Sequence, residues 1–388
     1  MSNKSDISVA IIDPNGGHGG MDYYDFGMCH GLLAAGCRVG LYTCDETVEP
    51  DIPGLRFHAY YKRVFGHGSH WRRGFRYLRG MLISLVMAIL SGERICHFHL
   101  GPGSIPELSL VALAKLCGRK IIITVHDVEP FVSSETVNHS IIVKVYRLAD
   151  GLIVHNETSK LALIEKLGIR PEKISIIPHG NYMRSMINVP QSIEAKRDLG
   201  ISESKKVVLF FGQIKDVKGL DLLIEAIPAV AREVPEVTVL IAGRPWRSDY
   251  SQYEALMDKL GVRSRCISHI RFIPNEEVAK YFAAADVVAL PYRRIYQSGV
   301  LLMAMSYERT VIVSDLPGML EIVTDGVNGF VFTQGSTDDL ERVLIGALRD
   351  ETRRRQVSLR ASEYVQKYHD WDRIGRRTAE LYRAVLES

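Results

Sequence analysis

PYRRIYQSGVLLMAMSYERTVIVSDLPGMLEIV, residues 291–323, is the stretch whose reading decides the fold. It follows an apolar strand, Asp286-Val-Val-Ala-Leu290, and passes through a polar loop ending in Gln297-Ser298-Gly299. An apolar run from Val300 to Met305 then starts a helix, and a second strand, Val311-Ile-Val313, closes the segment. Strand, small-residue loop, helix and strand make a βαβ unit. The loop ends a strand and opens a helix, where free backbone N–H groups and the helix dipole favour an anion. Most βα connections share this outline and bind nothing, so the surroundings of the loop must separate the two readings.

The surroundings repeat the pattern. Val207 to Phe211 is a strand that runs into Gly212-Gln-Ile-Lys-Asp-Val-Lys-Gly219, and a helix follows to about Glu233. Val237 to Ala242 is a strand ending at Gly243-Arg244. In the first half, Ile7 to Ile12 runs into Asp13-Pro-Asn-Gly-Gly-His-Gly-Gly20, ahead of a helix over 21–35 and a strand over 38–43. These glycines are not spaced G-x-G-x-x-G, so they form no dinucleotide fingerprint. Further strands read at 95–100, 120–125, 151–154 and 174–177, each a solid apolar run between helical stretches. Such runs belong to parallel sheets covered on both faces. The expected fold is α/β, with two doubly wound Rossmann-like domains facing a cleft. Residues 1–182 form the first domain and 205–368 the second. Residues 183–204 carry scattered charges, Pro190 and no sustained apolar pattern, and read as the linker.

Composition narrows the class. The chain has 388 residues, 46% hydrophobic and 24% charged, which is globular and long enough for two or three domains. A net charge of +3 gives no global field that would recruit nucleic acid. The six cysteines show neither C-x-x-C pairs nor metal-ligand spacing, which fits a reducing, cytoplasmic setting. The N-terminal MSNKSDISVAII has no signal-peptide layout, and the longest apolar run, Met81 to Leu90, is too short to span a bilayer. His97 and His99 lie on one face of one strand, but no further ligands accompany them in sequence, so they read as core or cleft lining.

One piece stands apart. Lys62 to Arg79 holds Lys62, Arg63, Arg72, Arg73, Arg76 and Arg79 without an acid, interleaved with Phe65, Trp71, Phe75 and Tyr77. A solvated helix face followed by a core helix is the bland reading. The absence of acids favours a cationic, amphipathic surface over residues 62–90 that meets anionic lipid or a phosphate-linked acceptor.

The motifs in order, Gly19-Gly20, His126-Asp127, Pro178-His-Gly180, FFGQIKDVKGLDLLIEA, IAGRP, AAADVVALPY and AMSYERTVIVSDLPGMLEIVTDGVNGFVF, resemble the retaining glycosyltransferases of family four (glycosyl transferases group 1), which have the GT-B fold. The resemblance covers nearly the whole chain and is densest over 207–332. It implies that the first domain binds a glycan or lipid-linked acceptor, that the second binds a nucleotide-sugar donor, and that the helix 369–388 crosses back to the first domain. It also implies that Gly19 and Gly20 match an N-terminal glycine pair, that His126 lies near the transferred sugar, and that Lys218 binds the donor diphosphate. Where the family usually has an arginine, this chain has Gln213; a cation stands instead at Lys215, as in a subset of similar sequences. Lysine gives a point charge without the bidentate fork.

The opening stretch departs from the family pattern E-G-F-G-L-x-x-L-E-A-M-A. Aligned on Ala304-Met305, the two glutamates become Ile295 and Met303, while Gln297-Ser298-Gly299-Val300 matches the S-Q-S-G-V of the same subset. Tyr307 to Thr310 replaces the usual G-x-P. The expected donor contacts are therefore Gly212, Lys215, Lys218 and the loop Gln297 to Val300. No D-x-D motif stands at a strand end, so neither metal nor cofactor is expected. The resulting expectation is a metal-independent hexosyltransferase acting with retention in polysaccharide or glycolipid biosynthesis, cytoplasmic, with peripheral contact at the inner face of the plasma membrane. Two alternatives are a sugar-nucleotide-binding protein impaired in catalysis and a GT-B-fold epimerase. The epimerase would need carboxylate acid/base residues that the loops do not display.

Overall fold

Solid apolar strands with alternating partners build two sheets. The computed structural model describes residues 7–66, 69–100, 103–128, 139–246 and 249–388. Residues 1–6 of the N-terminal reading and His67-Gly68 of the cationic stretch lie outside them. In the first sheet, β1 (Ser8–Ile12), β2 (Arg38–Cys44), β3 (Arg56–Tyr61), β4 (Ile95–His99), β5 (Lys120–Thr124), β6 (Gly151–Val154) and β7 (Ile174–Ile176) lie in the order β3-β2-β1-β4-β5-β6-β7. In the second, β8 (Lys206–Phe211), β9 (Val237–Ala242), β10 (Cys266–His269), β11 (Val287–Leu290), β12 (Thr310–Ser314) and β13 (Phe330–Phe332) lie in the order β10-β9-β8-β11-β12-β13. All these pairings are parallel. The strand order reverses between β1 and β4 in one sheet and between β8 and β11 in the other. Doubly wound sheets bind ligands beyond the strand ends at such switch points.

Two units result: residues up to Gly180 with His369–Ser388, and Asn181–Tyr368. Within the second, the period of two along β8 sends Val207, Leu209 and Phe211 to one apolar cluster and Val208 and Phe210 to the other. The first cluster includes Phe282, Leu301 and Val365, and the second Leu223, Ile227 and Leu344.

The expected linker is a correction. Residues 183–204 belong to the second unit, and the helix Ser192–Asp198 lies among them. Ala195, Leu199 and Ile201 are buried in its core. Lys196 is buried too, its ammonium donating to the Lys205 carbonyl at 2.8 Å and to Asp286 at 3.3 Å. One short helix with two apolar residues, Ile193 and Ala195, among charges leaves little periodicity to detect, and an ion-paired lysine counts as polar in any pattern.

In the first unit, the helix Trp371–Glu387 packs against the helix Asp22–Ala34. Small residues make that contact. A Cβ on Gly27 or on Gly180 would overlap the Trp371 indole, and one on Gly31 or Gly375 would overlap the other helix's backbone. Trp371, Ile374, Ala379 and Tyr382 thereby join the core of β1 and β2. Forcing a side chain into a filled contact costs about 1–3 kcal/mol. Gly31→Val and Gly375→Val are each expected to lower the melting temperature by several degrees, whereas Gly346→Ala, in open space, is expected to leave it unchanged or raised; differential scanning calorimetry measures all three.

Candidate active site

In the second unit the site is built where the β8 and β11 loops meet. Gly212 leaves β8 at φ 99, the turn Asp216–Lys218 follows, and Gly219 at φ 67 starts the helix Leu220–Glu233. A Cβ on Gly219 would overlap the Pro291 carbonyl oxygen, so glycine is what lets the two loops touch. Arg293 fastens them. Its amide donates to the Val217 carbonyl at 2.7 Å, and its guanidinium donates to the Asp216 carbonyl and to both carboxylate oxygens of Asp221, at 2.9 and 2.6 Å. The Asp221 carboxylate holds the guanidinium above its ordinary range.

This frame places the expected residues as follows. Lys218 is half-buried, with its Nζ 5.2 Å from the centre of the Tyr292 ring, and has no ion-pair partner among the described residues. Its Nζ and Val300 Cγ2 are the nearest atoms to the bare Cα side of Gly212. Gly212, Lys218, Tyr292 and Val300 therefore come together. Lys215 places its ammonium 5.8 Å from the centre of the Trp246 ring. Ser298 caps the helix Gly299–Ser306 by accepting from the Leu301 amide at 3.2 Å. The Gly299 and Val300 amides, ahead of it, have no hydrogen-bond partner among the described residues. Gln297 Nε2 and the Tyr292 hydroxyl are buried donors in the same position. A buried donor without a partner costs about 1–3 kcal/mol. An array of two amides, an amide side chain, a phenol and an ammonium asks for a ligand rich in acceptors. Ile295 and Met303 pack half-buried against the apolar core. Arg271 is held by Glu277 in a bidentate pair at 3.0 and 2.6 Å.

In the first unit, the switch point gathers histidines. Tyr24 is the hub, with ring centres of His99, His126, His155 and His179 between 4.8 and 5.4 Å away. Burial, reinforced by the neighbouring rings, holds His126 well below the ordinary imidazole value. The same causes lower His155 to about 4 and His179 to about 3. These rings are neutral at pH 7, which fixes their tautomers. His155 Nδ1 lies 3.0 Å from the Ile177 carbonyl, which only accepts, so Nδ1 carries the proton. His155 Nε2 is then an acceptor, and His126 Nδ1, 3.2 Å away, donates to it. His126 Nε2 is left as a buried lone pair with no partner among the described residues. A chain of three groups thus turns His126 into a hydrogen-bond acceptor. His97 is by contrast satisfied, with Tyr382 Oη at 2.6 Å and Thr124 Oγ1 at 2.7 Å. In the glycine loop, Gly20 takes φ 70 ahead of the helix Asp22–Ala34, and a Cβ there would meet nothing within 4 Å. Gly19 closes the short turn Gly16–Gly19.

Sequence reasoning missed Tyr292 and Arg293, which stand in the quoted stretch but look like ordinary loop residues. It missed His155, whose role appears only through His126. It also missed Asp13 and Asp25, which the fold brings to His99: one ligand atom from each of the three lies within 4.8 Å of the others. Burial, reinforced by the charge of Asp25, raises Asp13 to about 8. Burial likewise raises Asp25 to about 8.

Residues 191–364 match the glycosyl transferases group 1 family, and residues 18–181 match Glycosyltransferase Family 4. The first half of the chain is thus similar to one glycosyltransferase family and the second half to another. A D-inositol 3-phosphate glycosyltransferase of Kineococcus radiotolerans is 28% identical over 260 residues, which is 63% of this chain and 59% of that protein. The chain spans between about half and three-fifths of the length of the first curated relatives it matches. Sucrose-phosphate synthase from Thermosynechococcus elongatus superposes with a TM-score of 0.79 at 19% identity, over 98% of this chain and 99% of that one. The Anabaena protein HepE, in complex with UDP and glucose, superposes with a TM-score of 0.74 at 20% identity, over 97% and 100%. The fold is GT-B, two Rossmann-like domains with a C-terminal helix.

The histidine cage sets a pH dependence. A histidine lowered in the folded state stays neutral while the unfolded chain takes up a proton below pH about 6.5. Stability from His155 and His179 is therefore complete above that pH and is lost as the pH falls toward 4 and then 3. Asp13 and Asp25, raised to about 8, act in the opposite sense, adding stability as the pH falls from 8 toward 4. His179→Asn isolates one imidazole. Between pH 6.5 and 4 the wild type is expected to lose more stability than the variant, by up to about 1.4 kcal/mol per pH unit, in urea unfolding followed across pH. Parallel curves would remove His179 from the account.

Proposed function

We propose that this glycosyltransferase moves a hexose from a nucleotide sugar to a glycan or lipid-linked acceptor with retention of configuration and without a metal at the donor phosphates. The observation that carries the reading is the meeting of the β8 and β11 loops around Lys218, with donors on Tyr292, Gln297, Gly299 and Val300 that have no partner among the described residues. In sugar transfer the bond from the anomeric carbon to the diphosphate oxygen breaks, and charge grows on the departing nucleoside diphosphate. Donors fixed in advance stabilise that charge without reorganising. The acceptor oxygen attacks from the face the diphosphate leaves, and its proton passes to a departing phosphate oxygen. His126 Nε2, held as a lone pair by His155, accepts from a hydroxyl of the transferred sugar. Lys215, beside Trp246, adds positive charge. The uridine nucleotide and glucose of HepE make UDP-glucose the first donor to test. Lys218→Ala is expected to lower turnover by about tenfold or more while melting stays within a few degrees of wild type. Unchanged turnover removes Lys218 from the site. An inverted anomer in the product, read by proton NMR, overturns retention.

A second reading, a sugar-nucleotide-binding protein impaired in catalysis, is favoured by one observation. Ile295 and Met303, where relatives of this resemblance carry glutamates, are apolar and packed on the core. Nucleoside diphosphate release separates the readings: none over days with tight donor binding selects the second.

The helix His70–Leu90 supports a membrane-facing acceptor side. Gly80, Met81, Ser84, Leu85 and Ala88 are buried, and Gly80 sits against the Tyr61 ring. The other side is also apolar. Trp71, Phe75, Leu78, Leu82, Val86 and Leu90, spaced three or four apart, are exposed, with Trp71 at 77% and Leu90 at 74%. A solvated helix face does not look like this. Arg76, Arg79 and Lys62 line an adjoining cavity of about 250 Å³ with Tyr60 and Ile83. No helix among the described residues is long and apolar enough to cross a membrane. An apolar stripe beside a cationic hollow fits a bilayer surface of anionic lipid. Vesicles containing anionic phospholipid are expected to sediment the protein and neutral vesicles much less, with Trp71→Ala/Phe75→Ala and Arg76→Glu/Arg79→Glu each reducing binding by about tenfold. Equal binding to both vesicle types, or none to either, excludes the surface.

A further inference from the structure

Asp13 follows β1, Asp25 lies in the first turn of the helix Asp22–Ala34, and His99 ends β4. They meet at the switch point of the first sheet. Asp25 is 0% exposed, Asp13 1% and His99 3%. Asp13 Oδ1 accepts from the Asn15 amide at 2.8 Å, which leaves Oδ2 uncommitted. Neither oxygen of Asp25 and neither ring nitrogen of His99 has a hydrogen-bond partner among the described residues. Yet His99 Nδ1 lies 2.8 Å from Asp25 Oδ1. The two atoms touch without the alignment that a hydrogen bond requires, so their lone pairs are directed elsewhere.

That separation has a natural reading. Oxygen and nitrogen ligands about 2.0–2.2 Å from one ion stand roughly 3 Å apart along the edge of its coordination polyhedron. Two carboxylates buried together are also short of positive charge, and the groups acting most strongly on them are each other, Asp22 and His99, with no lysine or arginine. Removing two anions from water without a counter-charge is prohibitive. Either a proton bridges them or a cation fills the gap. A proton between the acids leaves both nitrogens of His99 unused, whereas a cation engages the imidazole and both carboxyls at once.

We infer that Asp13, Asp25 and His99 form a binding site for a divalent first-row transition ion such as Zn²⁺. Two carboxylates and one imidazole are hard and borderline ligands, and three protein ligands leave a position for water. The site does not replace the cationic array around Lys218. Its chemical consequence lies in the first unit, where one ion clamps the end of β1, the helix behind the glycine loop, and the end of β4. The ion thereby fixes the loop Asp13 to Gly20, and it sits beside His126, whose ring centre is 5.3 Å from that of His99.

The full chain, purified without a polyhistidine tag and stripped with chelator, is dialysed against Co²⁺ or Zn²⁺ and its metal content measured by mass spectrometry. One equivalent is expected, with visible ligand-field bands for Co²⁺ and a Zn²⁺-dependent rise in melting temperature by mass action. Asp25→Asn and His99→Gln are each expected to weaken binding by about tenfold or more. If Asp25→Asn fails to fold, His99→Gln, checked by circular dichroism, carries the test. Absence of uptake by wild type, or equal uptake by a folded His99→Gln protein, overturns the site. So does an Asp25→Asn protein that is more stable than wild type in the presence of chelator and of Zn²⁺ alike, since that is the behaviour of a shared proton. None of these readouts involves sugar transfer, so the result stands apart from the proposed activity.

Discussion

Backbone touching backbone is the constraint on which the second unit depends. Gly219 lies against the Pro291 carbonyl, and Gly243 lies against the Gly212 carbonyl. No side chain fits in either place. Because the main chains are in contact, the loops after β8, β9 and β11 form one surface with little freedom to part. Arg293 then spans two of them with its paired bonds to Asp221 and Asp216. The cation at Lys218 and the amides at Gly299 and Val300 inherit their positions from that frame. Preorganisation here comes from glycine and one arginine, while the groups that would meet a ligand are left unpaired.

The first unit reaches order by the opposite means. Its switch point is crowded with rings, and five histidines have been driven neutral by burial, four of them with help from neighbouring imidazoles. Neutral imidazole is directional, one nitrogen giving and one taking. A carbonyl at Ile177 therefore dictates, through His155, which face His126 presents. The second unit is organised around positive charge, and the first around uncharged polarity and a buried pair of acids.

Much of the fold was legible because parallel strands buried on both faces are unbroken apolar runs, as in Val207 to Phe211 and Ile121 to Ile123. The loops at Gly212–Gly219 and Gln297–Val300 were legible because small residues at strand ends have few other uses. Three things escaped. The helix Ser192–Asp198 was hidden by its charges, although Lys196 is buried with a partner. Arg293 was hidden because its partner, Asp221, is 72 positions away along the chain. Asp13, Asp25 and His99 were hidden because they come from three separate elements, and no local spacing records that β1 and β4 lie side by side.

The glycine contact between the helices Asp22–Ala34 and Trp371–Glu387 has a consequence for biogenesis. The first unit is discontinuous in sequence, with the whole of Asn181–Tyr368 inserted before its final helix. A ribosome releases every residue of the second unit before it releases Trp371. Until then the glycine-lined groove of Gly27, Gly31 and Gly180 is uncovered, with the apolar residues around it exposed. Order of emergence and order of completion are thus reversed, and the nascent chain carries one finished unit and one open core until the helix Trp371–Glu387 emerges.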